Sequence, residues 1–175
     1  FEGAGQPALL ALSDSDWING KKEAPATLIE YSDYQCPACA YFDPVLKKLE
    51  NDLNGKVKIV YRHFPLPQHK NAKLAAYSAE AAGKQEKFFE MTGRIFEGQK
   101  RWEGLSENGA REIFKNFARE LNLDMEKFEA DLNNEEIKKS VDEDYKNGVA
   151  LGINSTPTFY LNGKKLQNLT SYDAF

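Results

Sequence analysis

Long apolar runs, basic clusters and spare cysteines are all missing from this chain, and each absence removes a class of function. The longest uninterrupted apolar stretch, Ala8 to Leu12, is far too short to span a bilayer. A net charge of −4, a pI near 5.4 and no Lys/Arg grouping beyond short pairs exclude the basic face that nucleic-acid binding needs. No nucleotide-binding or haem-attachment motif occurs. Only two cysteines are present, so no further pair remains to form a structural disulfide and no stray thiol to scramble one. The residue pool that is left, 175 residues with 41% hydrophobic content, suits a soluble globular domain, either single or carrying an insertion.

The two cysteines stand three residues apart, in Cys36-Pro37-Ala38-Cys39, where a β-like run gives way to a helical pattern. Residues 25–32 read as a strand, and Phe42, Val45, Leu46, Leu49 and Leu53 then recur at helical spacing. Pro37 near the first helical position loses no intrahelical hydrogen bond and pre-sets the backbone angle. On a helix, residues i and i+3 lie about 5–6 Å apart, the separation a disulfide requires. The helix dipole stabilises a thiolate at its N-terminus by up to roughly 2 kcal/mol. At about 1.36 kcal/mol per unit, this brings a thiol pKa from ~8.5 to near 7. The expectation is a reactive, partly exposed nucleophile at Cys36 and a buried resolving thiol at Cys39.

A structural zinc site is the plain alternative, with His63 and His69 as further ligands in an H-x5-H spacing. Against it stand the long interval from Cys39 to His63, the lack of a second CxxC, and Pro37, which suits a helix start better than a zinc knuckle. His63 follows a β-like run and His69 sits in a Pro-rich loop, so histidines that are solvated or locally bonded are expected. Two glycosylation sequons, Asn154-Ser155-Thr156 and Asn168-Leu169-Thr170, read as chance matches.

Residues 1–24 read as an N-terminal extension, with a short helical turn at Asp14–Trp17. Asn54-Gly55 makes a turn, and Val57–Arg62 is a second strand, completing a βαβ unit. From about Asn71 to Leu151 the pattern is helical, with breaks near Gly83, Gly98–Ser106, Asn122–Asp124 and Asn133-Asn134. Ala72, Ala75, Ala76, Ala79 and Gly83 form a small-residue stripe, and Phe88, Met91, Ile95 and Phe96 a bulky one, both read as helix-packing surfaces. Thr158–Leu161 resumes β character, Asn162-Gly163 is a hairpin turn, and Lys165–Asn168 returns. The reading is therefore an α/β domain built from 25–70 and 152–175, interrupted by a helical insertion at 71–151.

Over roughly residues 25–168 the chain resembles the DsbA-like branch of the thioredoxin-fold thiol–disulfide oxidoreductases. The resemblance rests on Leu-Ile-Glu-Tyr-Ser-Asp-Tyr-Gln-Cys-Pro-Ala-Cys, on Tyr-Arg-His-Phe-Pro-Leu, on the size of the insertion, and on Ser155-Thr156-Pro157-Thr158-Phe159. It implies a thioredoxin fold with a large α-helical insertion. It also implies a cis Pro157 facing the dithiol, Thr156 against the sulfurs, and Glu30 either buried beneath the active site or solvated on the outer strand face. The implied activity is thiol–disulfide exchange, with no cofactor besides the redox-active Cys36–Cys39 pair. The implied partners are exported cysteine-containing proteins and a membrane or soluble partner that recycles the enzyme. The implied location is periplasmic or otherwise extracytoplasmic. The chain opens on Phe1 with no visible signal peptide, which leaves room for a removed leader or membrane anchor.

Two departures from the family pattern carry expectations. Ala38 stands where the strongly oxidising members have histidine and offers no hydrogen bond to the Cys36 thiolate, so a milder oxidant is expected. Tyr172–Phe175 leaves little room for the fold's final helix, as if the chain were cut short. A reductase or isomerase would use the same residues. A peptide-binding chaperone with incidental cysteines and the zinc module are the rival classes.

Overall fold

A computed structural model describes residues 6–175. A five-stranded sheet has the order β1-β3-β2-β4-β5, formed by β1 (Trp17–Asn19), β2 (Ala26–Ser32), β3 (Val57–His63), β4 (Thr158–Leu161) and β5 (Lys164–Lys165). Strands β2 and β3 run parallel, in register from Ala26 opposite Val57 to Ser32 opposite His63, and every other pairing is antiparallel. Parallel strands are covered on both faces, and β2 and β3 are accordingly buried along most of their length, polar residues included. Their connection is α2 (Pro37–Leu53), which buries Cys39, Phe42, Leu46 and Leu49 along one stripe.

Alternation on the strands sends side chains to opposite faces. Leu28, Ile59 and Phe159 pack against Phe42, Leu46 and Leu49 of α2. Ile29, Tyr31, Val60 and Tyr160 fill the other face. That face is closed by α8 (Glu135–Ala150), whose backbone approaches closely because Gly148 has no side chain: a Cβ there would sit 2.6 Å from the Phe64 ring.

The helical segment comprises α3 (Ala72–Gly83), α4 (Phe88–Glu97), α5 (Gln99–Trp102), α6 (Glu107–Glu120), α7 (Met125–Asp131) and α8. Its breaks fall where glycine, asparagine and aspartate interrupt the helical period, apart from α5, a four-residue helix inside a stretch expected to be a break. The alanine stripe of α3 and the bulky stripe of α4 meet in one core with Trp102, Phe114 and Phe117. Asn162 and Gly163, with φ of 48° and 84°, make the tight turn between β4 and β5. The return strand is only two residues long, shorter than the sequence suggested.

The N-terminal segment departs from its reading as an extension with a helical turn at Asp14–Trp17. A short helix, α1 (Gln6–Leu9), comes first, and Trp17–Asn19 is an edge strand of the sheet. Tertiary contacts override the local preference: the Trp17 indole stacks on Phe88 with ring centroids 4.5 Å apart and donates to Glu80 at 2.8 Å. At the other end, Tyr172–Ala174 forms a 3-10 turn, and Phe175 packs edge-on against Phe42 and Phe159.

Candidate active site

Cys36 is the N-cap of α2, with extended backbone at φ −77° and ψ 123°, and Pro37 occupies the first helical turn. The N-cap placement is as the sequence reads, but Cys36 is buried where a partly exposed nucleophile was expected, because the loop before β4 lies against its sulfur. Both thiols are free; Cys36 is 8% exposed and Cys39 is 0% exposed, while Pro37 and Ala38 lie at the surface. Across from them the Thr156–Pro157 peptide is cis, and the Thr156 carbonyl accepts from the Cys36 thiol at 3.4 Å. The topology explains the meeting: β4 pairs antiparallel with β2, so the residues just before β4 lie beside the loop that follows β2.

The two sulfurs are electrostatically unlike. Cys36 is held down to about 5, first by the Cys39 thiol, against the opposing effect of burial, and then by the nearby Thr156 side chain, whose hydroxyl has no hydrogen-bond partner in the thiol state, and by the backbone N–H groups of Cys39 and Ala38. Burial pushes Cys39 far above the ordinary thiol range, and the neighbouring Cys36 and Glu30 reinforce it. The thiolate is therefore more stable than the helix dipole alone suggests, because donors converge on it from α2 and from the loop before β4. One expectation is corrected here. Ala38 does supply a hydrogen bond to the Cys36 sulfur, through its backbone N–H; only the side-chain donor is missing.

Glu30 is buried, not solvated. It projects from β2 on the α2 side of the sheet, and burial raises its carboxyl to about 8, with the charges of Asp43 and Cys36 adding to the effect. A carboxyl that is mostly neutral at pH 7 beneath a reactive dithiol can give up or take a proton.

Three supporting residues were not singled out from the sequence. Asp33 is buried, and its carboxylate accepts from the backbone N–H groups of Gln35 and Leu66 at 2.7 and 2.8 Å and from His69 at 2.6 Å. It thereby ties the active-site loop to the loop after β3. Gln99 of α5 reaches in from the helical segment and donates to the carbonyls of Tyr34 and Cys36 at 2.7 and 3.0 Å. Ser32 lies at the end of β2, buried beneath the dithiol. Asp33 had a faint cue, an acceptor placed in a loop whose amides need partners; Gln99 and Ser32 had none.

His63 and His69 are drawn apart by different carboxylates. His63, fully buried, shares 2.8 Å with Glu80, whereas His69 meets Asp33. Among the described residues no three His, Cys, Asp or Glu side chains cluster as metal ligands, and no helix is long and apolar enough to cross a membrane.

A curated relative named Na(+)/H(+) antiporter NhaA, from Herminiimonas arsenicoxydans, is 35% identical over 159 residues, which is 91% of this chain and 24% of the relative. The chain thus spans about a quarter of the length of the curated relatives it matches. Among solved structures, alpha-DsbA1 of Wolbachia pipientis superposes with a TM-score of 0.84 at 24% identity, covering 96% of this chain and 90% of that one. Oxidised BdbD of Bacillus subtilis gives 0.78 at 27% identity, covering 90% and 86%. A family model described as thioredoxin matches residues 13–175, nearly the whole chain. The chain belongs to the thioredoxin family and has the fold of its DsbA-like thiol–disulfide oxidoreductases.

Proposed function

We propose that the protein is a thiol–disulfide oxidase that introduces disulfides into exported, cysteine-containing proteins. The observation that carries the reading is the inequality of the two sulfurs: Cys36 held down to about 5 beside the surface residues Pro37 and Ala38, over a fully buried Cys39 pushed up. A substrate thiolate attacks Cys36 Sγ in the Cys36–Cys39 disulfide, the S–S bond breaks, and Cys39 leaves with the electron pair and takes up a proton. The second substrate thiolate then attacks the substrate sulfur of the mixed disulfide. Cys36 leaves as a thiolate, and its low pKa makes it a good leaving group. The substrate ends with a disulfide and the protein with a dithiol, which a membrane or soluble redox partner reoxidises.

Thr156 and Pro157 flank the reacting sulfur, and the unpaired backbone ahead of β4 offers an edge for an extended substrate segment. The Cys36–Cys39 pair is the only redox group that this scheme needs. An extracytoplasmic, periplasmic setting supplies the oxidising surroundings in which such exchange is useful.

Variants of the two cysteines test the proposal. Cys39→Ala should trap substrates as mixed disulfides, Cys36→Ala should trap almost none, and Cys36 should alkylate far faster than Cys39 at neutral pH. Equal alkylation rates sink the assignment of the nucleophile.

A further inference from the structure

Beneath the dithiol, one face of β2 and β3 carries polar groups where an apolar floor would be expected. Glu30 and Ser32 alternate on β2, and Tyr61 stands opposite Glu30 in the parallel register. All three are buried. Glu30 Oε1, Ser32 Oγ and the Tyr61 hydroxyl each lack a hydrogen-bond partner, an expensive condition for buried polar atoms. On the opposite sheet face Tyr31, Arg62 and Asn147 bond one another instead.

Ser32 is the member these groups have in common. Its hydroxyl is within reach of the Glu30 carboxyl, the Cys39 sulfur and the Tyr61 hydroxyl, yet it is committed to none of them. A hydroxyl both donates and accepts, and it rotates freely about its C–O bond. A carboxyl and a thiol with such a group between them can exchange a proton without being in contact.

We propose that Ser32 is the proton-relay residue between Glu30 and Cys39. When the Cys36–Cys39 disulfide is attacked and Cys39 leaves as a thiolate, the Ser32 O–H passes its proton to Cys39 Sγ and receives the proton of the neutral Glu30 carboxyl. Cys39 ends as a thiol, Glu30 as a carboxylate, and Ser32 is unchanged. In the reverse direction Cys39 gives its proton through Ser32 to the Glu30 carboxylate, and the new thiolate attacks Cys36 in a mixed disulfide. The titratable groups facing this relay are Asp43 and Cys36 from α2, Tyr61 from β3, and Tyr34 from the loop between β2 and α2.

The inference rests on the proposed thiol–disulfide activity, and the test separates the two. A mixed disulfide of Cys36 with glutathione is formed, and its Cys39-dependent resolution is followed against pH in single turnover. Ser32→Ala should slow resolution about tenfold or more at pH 7, within the range of general acid–base effects, and flatten the pH profile. Alkylation of Cys36 should stay unchanged, and Ser32→Thr, which keeps the hydroxyl, should restore both rate and profile. Adding Ser32→Ala to Glu30→Gln should cost little more than Glu30→Gln alone. Ser32→Gly serves as a second hydroxyl-free variant should the alanine protein fold poorly. Wild-type resolution in the hydroxyl-free variants, or full additivity with Glu30→Gln, overturns the relay and leaves the oxidoreductase reading standing. Failure of Cys36 to form any mixed disulfide removes both.

Discussion

The two faces of the central sheet hold buried polar groups in opposite conditions. On the α8 side, Arg62 donates to both oxygens of Asp16 at 2.8 and 2.9 Å, to the Leu9 and Ala11 carbonyls at 2.8 Å, to Tyr31 at 2.9 Å and to Asn147 at 3.2 Å. On the α2 side, one residue away along the same strands, Glu30, Ser32 and Tyr61 carry atoms with no partner. A saturated network has one low-energy arrangement and serves as a clamp, here fastening the segment ahead of β1 to the sheet. An unsaturated one retains capacity to accept or give protons as the sulfurs change state. The strand period alone separates the two, so a polar residue moved by one position would trade one role for the other.

The largest effect expected on this contrast is at the clamp. Asp16→Ala leaves the Arg62 guanidinium buried without its carboxylate, which should cost roughly 3–5 kcal/mol in a urea melt. Alkylation of Cys36 in the folded variant should match the wild type, since the clamp faces away from it. A changed Cys36 reactivity, or a cost below about 1 kcal/mol, breaks the division into a structural face and a reactive face.

The next effect belongs to the dithiol. Cys36 is lowered in the folded protein, so it contributes stability that is present above the unfolded thiol value and is lost as pH falls through about 5. The contribution is on the order of 2–3 kcal/mol at pH 7, and only the reduced form has it. The reduced protein should therefore melt above the oxidised one at pH 7, and the gap should shrink toward pH 5. A more stable oxidised form removes the oxidase direction and makes a reductase the better reading.

Much of the fold was readable in advance because its signals are local. The apolar run of β2, the helical stripe after Cys39, the alanines of α3 and the Asn162-Gly163 turn each depend on neighbours a few residues away. The segment around Trp17 was not readable, since its strand conformation rests on Phe88 and Glu80, which only the folded chain brings near. The site divides in the same way. Cys36, Pro37 and Cys39 are legible from spacing, whereas Glu30, Thr156 and Pro157 stood out through family resemblance. The depth of the Cys36 pKa was hidden, because it depends on Thr156, 120 positions away in the chain. Ser32 and Gln99 were missed for the same reason: each is an ordinary polar residue until its partners are known.

Replacing the acid of the reactive face should produce a stability change with its own pH signature. Glu30 is raised from 4.5 to about 8, so the folded protein binds more protons than the unfolded chain between those values. Stability is then lost as pH rises through this window, the reverse of the Cys36 trend. Glu30→Gln removes the loss. It should leave the reduced protein more stable than the wild type at pH 8, by up to about 4 kcal/mol, with little difference at pH 4.5. Paired melts at the two pH values check the sign. An equal change at both would mean that Glu30 acts by packing and not by titration.

The smallest expected effect weighs the donors on the Cys36 thiolate against one another. The Cys39 thiol contributes most and the Thr156 hydroxyl less, with the two backbone N–H groups behind them. Thr156→Val keeps the shape and removes only the hydroxyl. A hydrogen bond to a charged group is worth about 1.5–3 kcal/mol when fully formed, but the Thr156 hydroxyl has no hydrogen-bond partner while both cysteines are thiols, so its pull on the thiolate is weak. The expected rise is therefore about one unit or less, from about 5 toward 6, read from thiolate absorbance against pH. Cys39→Ala should raise it further. If Thr156→Val has the larger effect, the loop before β4, and not the partner thiol, is the main support of the thiolate. The reactive face would then extend across the cleft to β4 instead of ending at α2.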